Sequence, residues 1–304
     1  MLLGIEIGGT KLQLGVGCGD GKLVALERRT VDRARGALAI LEQIECVGRE
    51  LAARHRLAAA GIGFGGPVDV EHGRTITSHQ VEGWNNFPIV EWLQFKLGLF
   101  AALGNDADVA ALAEARDGAG RGRNPVFYIT VGTGIGGGLV IDGEIYRGSG
   151  AGAAEIGHLR PGLEAGDAHH TVESIAAGPG IAAAANRSLK PRSDGALWTA
   201  ELVGQAAAAG DAAAVEVLNH AWQALGWAIA QVLTLVSPGV VVIGGGVSLL
   251  GERLFFEPLR AAVDRYVFPP LRGKYTIVPA ALGEEMVIHG ALHLAASLAP
   301  RVAP

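Results

Sequence analysis

Cysteine is scarce in this chain of 304 residues. Its two copies, Cys18 and Cys46, make neither a metal-type pair nor a disulfide framework, which points to a reducing compartment and a cytoplasmic protein. A basic amino-terminal region is also missing. The opening Met1-Leu2-Leu3-Gly4-Ile5-Glu6 meets an acid at once and does not read as a signal peptide. There is no run of Lys or Arg, and a net charge of -5 leaves no electrostatic footprint for nucleic acid. Charged residues supply only 18% of the chain against 49% hydrophobic, which excludes a disordered tail protein and predicts a globular one with ample core. Residues 221–251 carry no charge at all, yet Pro238-Gly239 divides them. Leu218, Trp222, Leu225, Ile229, Val232 and Val236 recur at helical spacing, so a buried helix and a buried strand are expected there and no membrane partner.

What the chain has in excess is glycine. Its 46 copies far exceed the usual share of about 7%. They cluster after apolar segments, where backbone must come close to a ligand or turn sharply. A strand over 2–7 meets Gly8-Gly9-Thr10-Lys11, then a strand over 12–16, a Gly19-Asp20-Gly21 hairpin and a strand over 22–29. A helix over 36–56 is expected, with Leu38, Leu41, Ile44, Val47 and Leu51 on one face, followed by a buried strand over 61–64 and Gly65-Gly66-Pro67. Residues 127–141 replay the opening: strand, the glycine run 132–138, strand, and an Asp142-Gly143 turn before a last strand over 144–146. Such a replay predicts a duplicated architecture, each copy seeding its own lobe. A third run, Gly244-Gly245-Gly246-Val247, follows the strand 240–243 and precedes helical residues through Phe255 and Leu259. Ala-rich stretches around 182–185 and 206–214 read as helices, and 286–298 as a final helix that returns to the first lobe.

Three readings of the glycine runs compete. A dinucleotide fold needs its glycines between a strand and a helix, whereas the first two runs here are followed by strands. A P-loop needs four residues between its first glycine and Gly-Lys-Ser/Thr, a string the chain lacks. Plain hairpin turns account for any one run. They do not account for three in this order, with Thr10, Lys11 and Thr133 supplying hydroxyls and a cation; two facing turns of bare N–H groups would clamp a polyphosphate.

These residues carry a resemblance to the ROK family of sugar kinases. Glu6-Ile7-Gly8-Gly9-Thr10-Lys11 is similar to the family's first phosphate motif, which opens with aspartate. Gly66-Pro67-Val68, Asn105-Asp106-Ala107, Gly132-Thr133-Gly134-Ile135-Gly136, Glu155-Ile156-Gly157-His158 and Gly244–Val247 match later motifs in order. The resemblance implies an α/β, two-lobed, actin-like ATPase (ribonuclease H-like) fold with an interdomain cleft. A small lobe of residues 1–106 plus 287–304 and a large lobe of 107–286 would form it, in a dimer or tetramer. No helix-turn-helix precedes the first strand, which by the same resemblance separates the chain from the family's repressors.

The resemblance also implies roles. Asp106 becomes the general base that accepts the proton of a sugar hydroxyl; taken alone, it reads as an N-cap of a helix over 107–115. Gly66, Gln80, Asn105, Asp106, Glu155, His158 and Glu173 line the sugar; His158 alone would suggest a buried structural histidine, and Glu173 a charge in the first turn of a helix. Gly8, Gly9, Thr10, Lys11, Gly132, Thr133 and Gly134 take the phosphates of ATP, and Gly244, Gly245 and Gly246 its adenosine side. Lys11 also reads as a plain surface charge. Mg²⁺ is expected on the ATP oxygens, with Glu6 holding it through water.

Three departures stand out. The family's cysteine zinc cluster has no counterpart, because residues 159–171 contain no cysteine. Zinc is therefore not expected, although His158, Asp167, His169 and His170 offer nitrogen and oxygen donors. Ser78-His79-Gln80 stands where the family reads Thr-Pro-Asn, and Glu6 stands for the opening aspartate. The expected activity is an ATP-dependent hexokinase-type transfer to glucose or a close relative. N-acetylhexosamine or fructose kinase, or a non-catalytic sugar sensor, are the alternatives.

Overall fold

The computed structural model describes residues 1–78, 80–149, 152–162, 167–192 and 194–298. His79 of the Ser78-His79-Gln80 triplet, residues 163–166 of the cysteine-free loop and the tail 299–304 assigned to the small lobe lie outside them. In chain order the elements are β1 (Leu2–Ile7), β2 (Lys11–Gly17), β3 (Leu23–Thr30), α1 (Gly36–Arg54), β4 (Ala59–Phe64), β5 (Val68–Asp69), β6 (Arg74–Thr75), α2 (Ile89–Leu97), β7 (Ala101–Asn105) and α3 (Asp106–Arg116). They continue as β8 (Val126–Val131), β9 (Ile135–Ile141), β10 (Glu144–Ile145), α4 (Val172–Ala176), α5 (Gly178–Ser188), α6 (Ala200–Ala208), α7 (Ala212–Val236), β11 (Val240–Gly244), α8 (Glu257–Tyr266), β12 (Ile277–Pro279) and α9 (Met286–Leu298).

The chain forms two compact units. One holds Met1–Arg121, Gly143–Ala153 and the segment from Leu282 onward; the other holds Gly122–Asp142 and Ala154–Ala281. In the first unit the strand order is β3-β2-β1-β4-β7, with β1 to β3 an antiparallel meander and β4 and β7 parallel to β1. In the second, β9 and β8 are antiparallel, and β11 and β12 follow parallel to β8. The same pattern thus occurs twice: a glycine hairpin, then parallel strands reached by crossovers, as the replayed motif predicts.

Apolar strands buried along their whole length, such as Leu2–Ile7 and Val240–Gly244, fit sheets covered on both faces. Helix α9 covers the first sheet. Its backbone lies so close that a Cβ on Gly61 would stand 1.8 Å from the Ala291 carbonyl oxygen, and one on Gly290 would stand 1.9 Å from that of Val109 in α3. The second unit is built around α7, whose Leu218, Trp222, Leu225, Ile229 and Val232 are buried as the spacing predicts. Among the described residues no helix is long and apolar enough to cross a membrane.

Some local expectations need correction. Leu38 is 74% exposed, because the buried stripe of α1 runs through Ala37, Ile40, Leu41, Ile44, Val47 and Leu51. The Ala-rich run 206–214 is two helices: Gly210 takes a positive φ of 93°, and the Asp211 side chain caps α7 by accepting from Ala213 and Ala214 N–H. The glycine run 132–138 is a turn only as far as Gly134. Gly136, Gly137 and Gly138 lie inside β9, where a Cβ on Gly137 would meet the Ala154 carbonyl oxygen at 2.2 Å.

Placing a Cβ at position 61 forces two backbones apart, so Gly61→Ala is expected to destabilise the protein by roughly 3 kcal/mol. Chemical denaturation measures it, and a loss under about 0.5 kcal/mol, typical of a surface change, would contradict the packing described.

Candidate active site

Each unit carries its own cluster of the residues singled out above. In the first, the register of β1 on β2 sets Glu6 opposite Gln13, and both are buried. Gln13 Nε2 donates to Glu6 Oε2 at 2.6 Å, and Lys11 Nζ lies 3.3 Å from Glu6 Oε1. Both donors also reach the Glu284 carbonyl, at 3.0 and 3.2 Å, while Arg28 donates from Nε to Gln13 Oε1 and pairs with Glu285 at 2.6 Å. Burial, the largest influence, pushes the Glu6 carboxyl above its ordinary value; the Lys11 charge and the Gln13 hydrogen bond pull it back, and the Glu284 charge adds to the rise. The cation of the first motif is therefore tied to the acid that opens it.

The turn itself closes through Gly8 N–H to the Lys11 carbonyl at 3.0 Å. Thr10 is exposed, its carbonyl accepting from Val31 N–H. Gly65 N–H donates to Ile7 O at 2.8 Å, and a Cβ on Gly65 would lie 3.4 Å from Asp106 Oδ2 and 3.6 Å from Gly8 Cα. Hence Gly8, Gly65 and Asp106 converge. Asp106 is the first residue of α3, but the cap is Asn105, which holds extended backbone at φ −65°, ψ 148°. Asn105 Oδ1 accepts from Ala107 and Asp108 N–H, and its Nδ2 donates to the Gly66 carbonyl at 3.0 Å. Asp106 Oδ1 accepts from Ala107 N–H at 2.9 Å. Gln80 lies across Gly9, where a Cβ would stand 1.8 Å from Gln80 Oε1.

In the second unit the β8–β9 turn closes through Gly132 N–H to Gly134 O at 2.9 Å, and Gly178 N–H, at the start of α5, donates to Gly132 O at 2.8 Å. Thr133 projects from this turn and is exposed. Gly245, with φ 89°, presses on the end of the neighbouring strand β8: its Cβ would lie 2.4 Å from Val131 O. That brings Gly244–Gly246 beside the second turn; Ser248 Oγ donates to Gly245 O at 2.7 Å. Glu173 sits in the first turn of α4, which Thr171 and Ser174 close as a capping box. Its Oε2 accepts from Ile135 N–H at 2.7 Å, on the same turn. Glu155 caps and His158 ends the 3₁₀ turn Ile156–His158, fixed because Gly157 approaches Ile135 O. Both reach solvent, so His158 is no buried structural histidine. Desolvation is the main force raising the Glu155 carboxyl; His158 lowers it and Glu173 raises it further. Among the described residues no group of three His, Cys, Asp or Glu is arranged to hold a metal ion.

Sequence reasoning missed Gln13, Arg28, Gly178 and the Glu284 carbonyl. Gln13 was detectable as the lone polar side chain amid Leu12, Leu14 and Val16. The others owe their place to pairings between distant segments.

The ROK family model matches residues 2–297. The chain belongs to the ROK family. A glucokinase from Halalkalibacterium halodurans is 32% identical over 95% of this chain and 92% of its own length. Among solved structures, the ROK hexokinase from Thermus thermophilus has a TM-score of 0.83 and 31% identity over 97% of each chain. The ROK glucokinase from Streptomyces griseus, solved with glucose and AMPPNP, has a TM-score of 0.81 and 29% identity, covering 97% of this chain and 99% of that one. The fold of this ROK protein is that of the two-lobed actin-like ATPases.

Two outcomes are expected. Asn105→Ala removes the cap of α3 and is expected to cost about 1–2 kcal/mol by denaturation. For Glu6, the unfolded carboxyl titrates near 4.5 and the folded one above it. Between the two values the folded state keeps a proton that the unfolded state has released, so stability falls as pH rises through that window. Urea melts at a series of pH values should show wild type losing ground to Glu6→Gln as pH climbs from below 4.5 to neutrality; a constant difference would refute this.

Proposed function

We propose that this ROK protein is a glucokinase-type enzyme, with glucose as acceptor, MgATP as donor and Asp106 as general base. Family membership and the sugar-kinase relatives make the chain an ATP-dependent sugar kinase, a phosphotransferase; the acceptor and the residue roles are the proposal. The observation that carries the base assignment is the convergence of Asp106 Oδ2, Gly65 and Gly8 at the end of β1, on a helix start fixed by Asn105.

A sugar hydroxyl attacks the γ-phosphorus in line as the bond to the β–γ bridging oxygen breaks. The hydroxyl proton passes to the Asp106 carboxylate, and ADP leaves with the electron pair of the broken bond. Such a loose transition state asks the protein mainly for position and for donors to the phosphate oxygens. With Gly8 and Gly132 N–H closing their turns, the other N–H groups of Gly8-Gly9-Thr10 and Gly132-Thr133-Gly134 and the two threonine hydroxyls would supply those donors, and Gly244–Gly246 would take the adenosine side. Gly66, Gln80, Asn105, Glu155, His158 and Glu173 take sugar hydroxyls; Glu155 and Glu173 are acceptors by charge, while amide and imidazole donate as well. The two oxygens of Glu6 already engage Lys11 and Gln13. Each oxygen keeps a further lone pair, so Glu6 would hold Lys11 and also a water on the magnesium of the nucleotide.

A coupled ADP-release assay across a panel of sugars tests the reading. Turnover is expected to be greatest with glucose, and Asp106→Asn to lower kcat by roughly 10²- to 10⁴-fold while sugar-dependent thermal stabilisation persists. Undiminished turnover in that variant would sink the base assignment. Sugar-dependent stabilisation with no turnover on any sugar would favour a sensor.

A further inference from the structure

The chain leaving β3 folds back onto the first glycine turn. Val31 N–H donates to the Thr10 carbonyl at 3.0 Å, and the 3₁₀ turn Arg33–Arg35 begins at once, capped by Asp32 Oδ1 accepting from Ala34 N–H. Arg33 stands there with its guanidinium forked across two acceptors. Nε donates to the Gly9 carbonyl at 2.6 Å and Nη2 to Gln80 Oε1 at 3.1 Å. Neither acceptor is charged, so both bonds gain from the ionised donor without an ion pair being formed. Gln80 fills the space a side chain at position 9 would need: a Cβ there would lie 1.8 Å from its Oε1 and 2.8 Å from its own Cβ. The backbone on either side is held too. Ser78 Oγ accepts from Gln80 and Val81 N–H at 3.2 and 3.3 Å, and Ala37 N–H donates to the Glu82 carbonyl at 2.8 Å.

From this geometry we propose that Arg33 is a positioning residue for sugar recognition: it locks the Gln80 side chain over Gly9 and so couples the sugar-contacting loop to the phosphate turn. The inference rests on the assignment of Gln80 to the sugar made above. A glutamine has one more rotatable bond than an asparagine, and a loose side chain must surrender its rotamer freedom when the ligand arrives. A guanidinium that already holds the amide oxygen has removed that freedom beforehand. It also decides which face of the amide meets the sugar, because the oxygen is occupied and the NH₂ group is left to donate. The glycine at position 9 follows from the same arrangement, since any side chain would expel Gln80 from its seat.

The test is a double-mutant cycle in the full chain, with Arg33→Met, Gln80→Ala, the pair together, and Arg33→Lys. Arg33 is exposed, so its replacement leaves the core intact. In the coupled assay with the preferred sugar, Arg33→Met is expected to raise the sugar KM roughly 3- to 10-fold while kcat and the ATP KM stay within about twofold. The double variant should be no worse than Gln80→Ala alone, because the two residues act as one unit. Arg33→Lys should recover only part of the loss, an ammonium reaching one acceptor without the fork. A raised ATP KM or lowered kcat with the sugar KM unchanged would overturn the proposal and assign the charge to phosphate. Independent, multiplicative effects of the two single changes would also overturn it. If wild type turns over no sugar, the kinase reading fails on its own, and the same cycle is read by sugar-induced thermal shift. There, a smaller shift in Arg33→Met supports the positioning role; equal shifts, or no shift in wild type, overturn it.

Discussion

The first unit depends on how closely helix α9 lies on its sheet. Gly61 and Gly4 leave no Cβ between the strands and the carbonyls of Ala291 and Ile288, and Gly290 lets the helix meet Val109 of α3. Dense contact of this kind leaves little freedom to slide, because each side chain and carbonyl has one place to go. What precedes α9 is thereby fixed as well. Glu284 presents its carbonyl to Lys11 and Gln13, and Glu285 its carboxylate to Arg28, so the polar network around Glu6 is closed by the end of the chain. Deeper in the helix, His293 meets Asp117 at 2.6 Å just past the end of α3. The helix that begins with Asp106 is thus held at both ends, by Asn105 at its start and by α9 along its flank and at its far end.

Much of this was legible in the linear sequence, and what was not has a physical reason. Turns and strand ends are local, so Gly8-Gly9, Gly19–Gly21 and Gly132–Gly134 were readable, as was α7, whose apolar residues recur at helical spacing and which carries no charge from Ala221 on. The duplicated pattern was readable because it repeats. Helix caps are also local, yet Asn105 and Asp106 are both good capping residues; only the extended backbone at position 105 selects between them. Leu38 misled because it lies one position from a true stripe residue, Ala37, and two from Ile40. The roles of Arg33 and Glu284 were beyond reach. Each acts through a partner far along the chain, and neither carries a motif of its own.

The Glu6 network shows how a polar group inside a sheet can be both costly and necessary. Gln13 and Glu6 sit at paired positions on adjacent strands, where two apolar side chains would pack without penalty. Instead, the amide satisfies the acid, the acid satisfies Lys11, and Arg28 satisfies the amide oxygen. Every member leans on another, so the loss of one leaves a buried partner without its bond. A longer acid than the family's aspartate fits this arrangement because it reaches Gln13 and Lys11 together.

Glu173 illustrates a different kind of dependence. Its carboxylate occupies the space above Gly134 and accepts from Ile135 N–H, so a side chain at 134 would have to push the acid at 173 aside. The atoms in the way are the flexible end of Glu173, so alanine at 134 would displace the carboxylate at the cost of its bond to Ile135 N–H. A change at position 134 would thereby be felt at the start of α4, and a change at 173 in the β8–β9 turn.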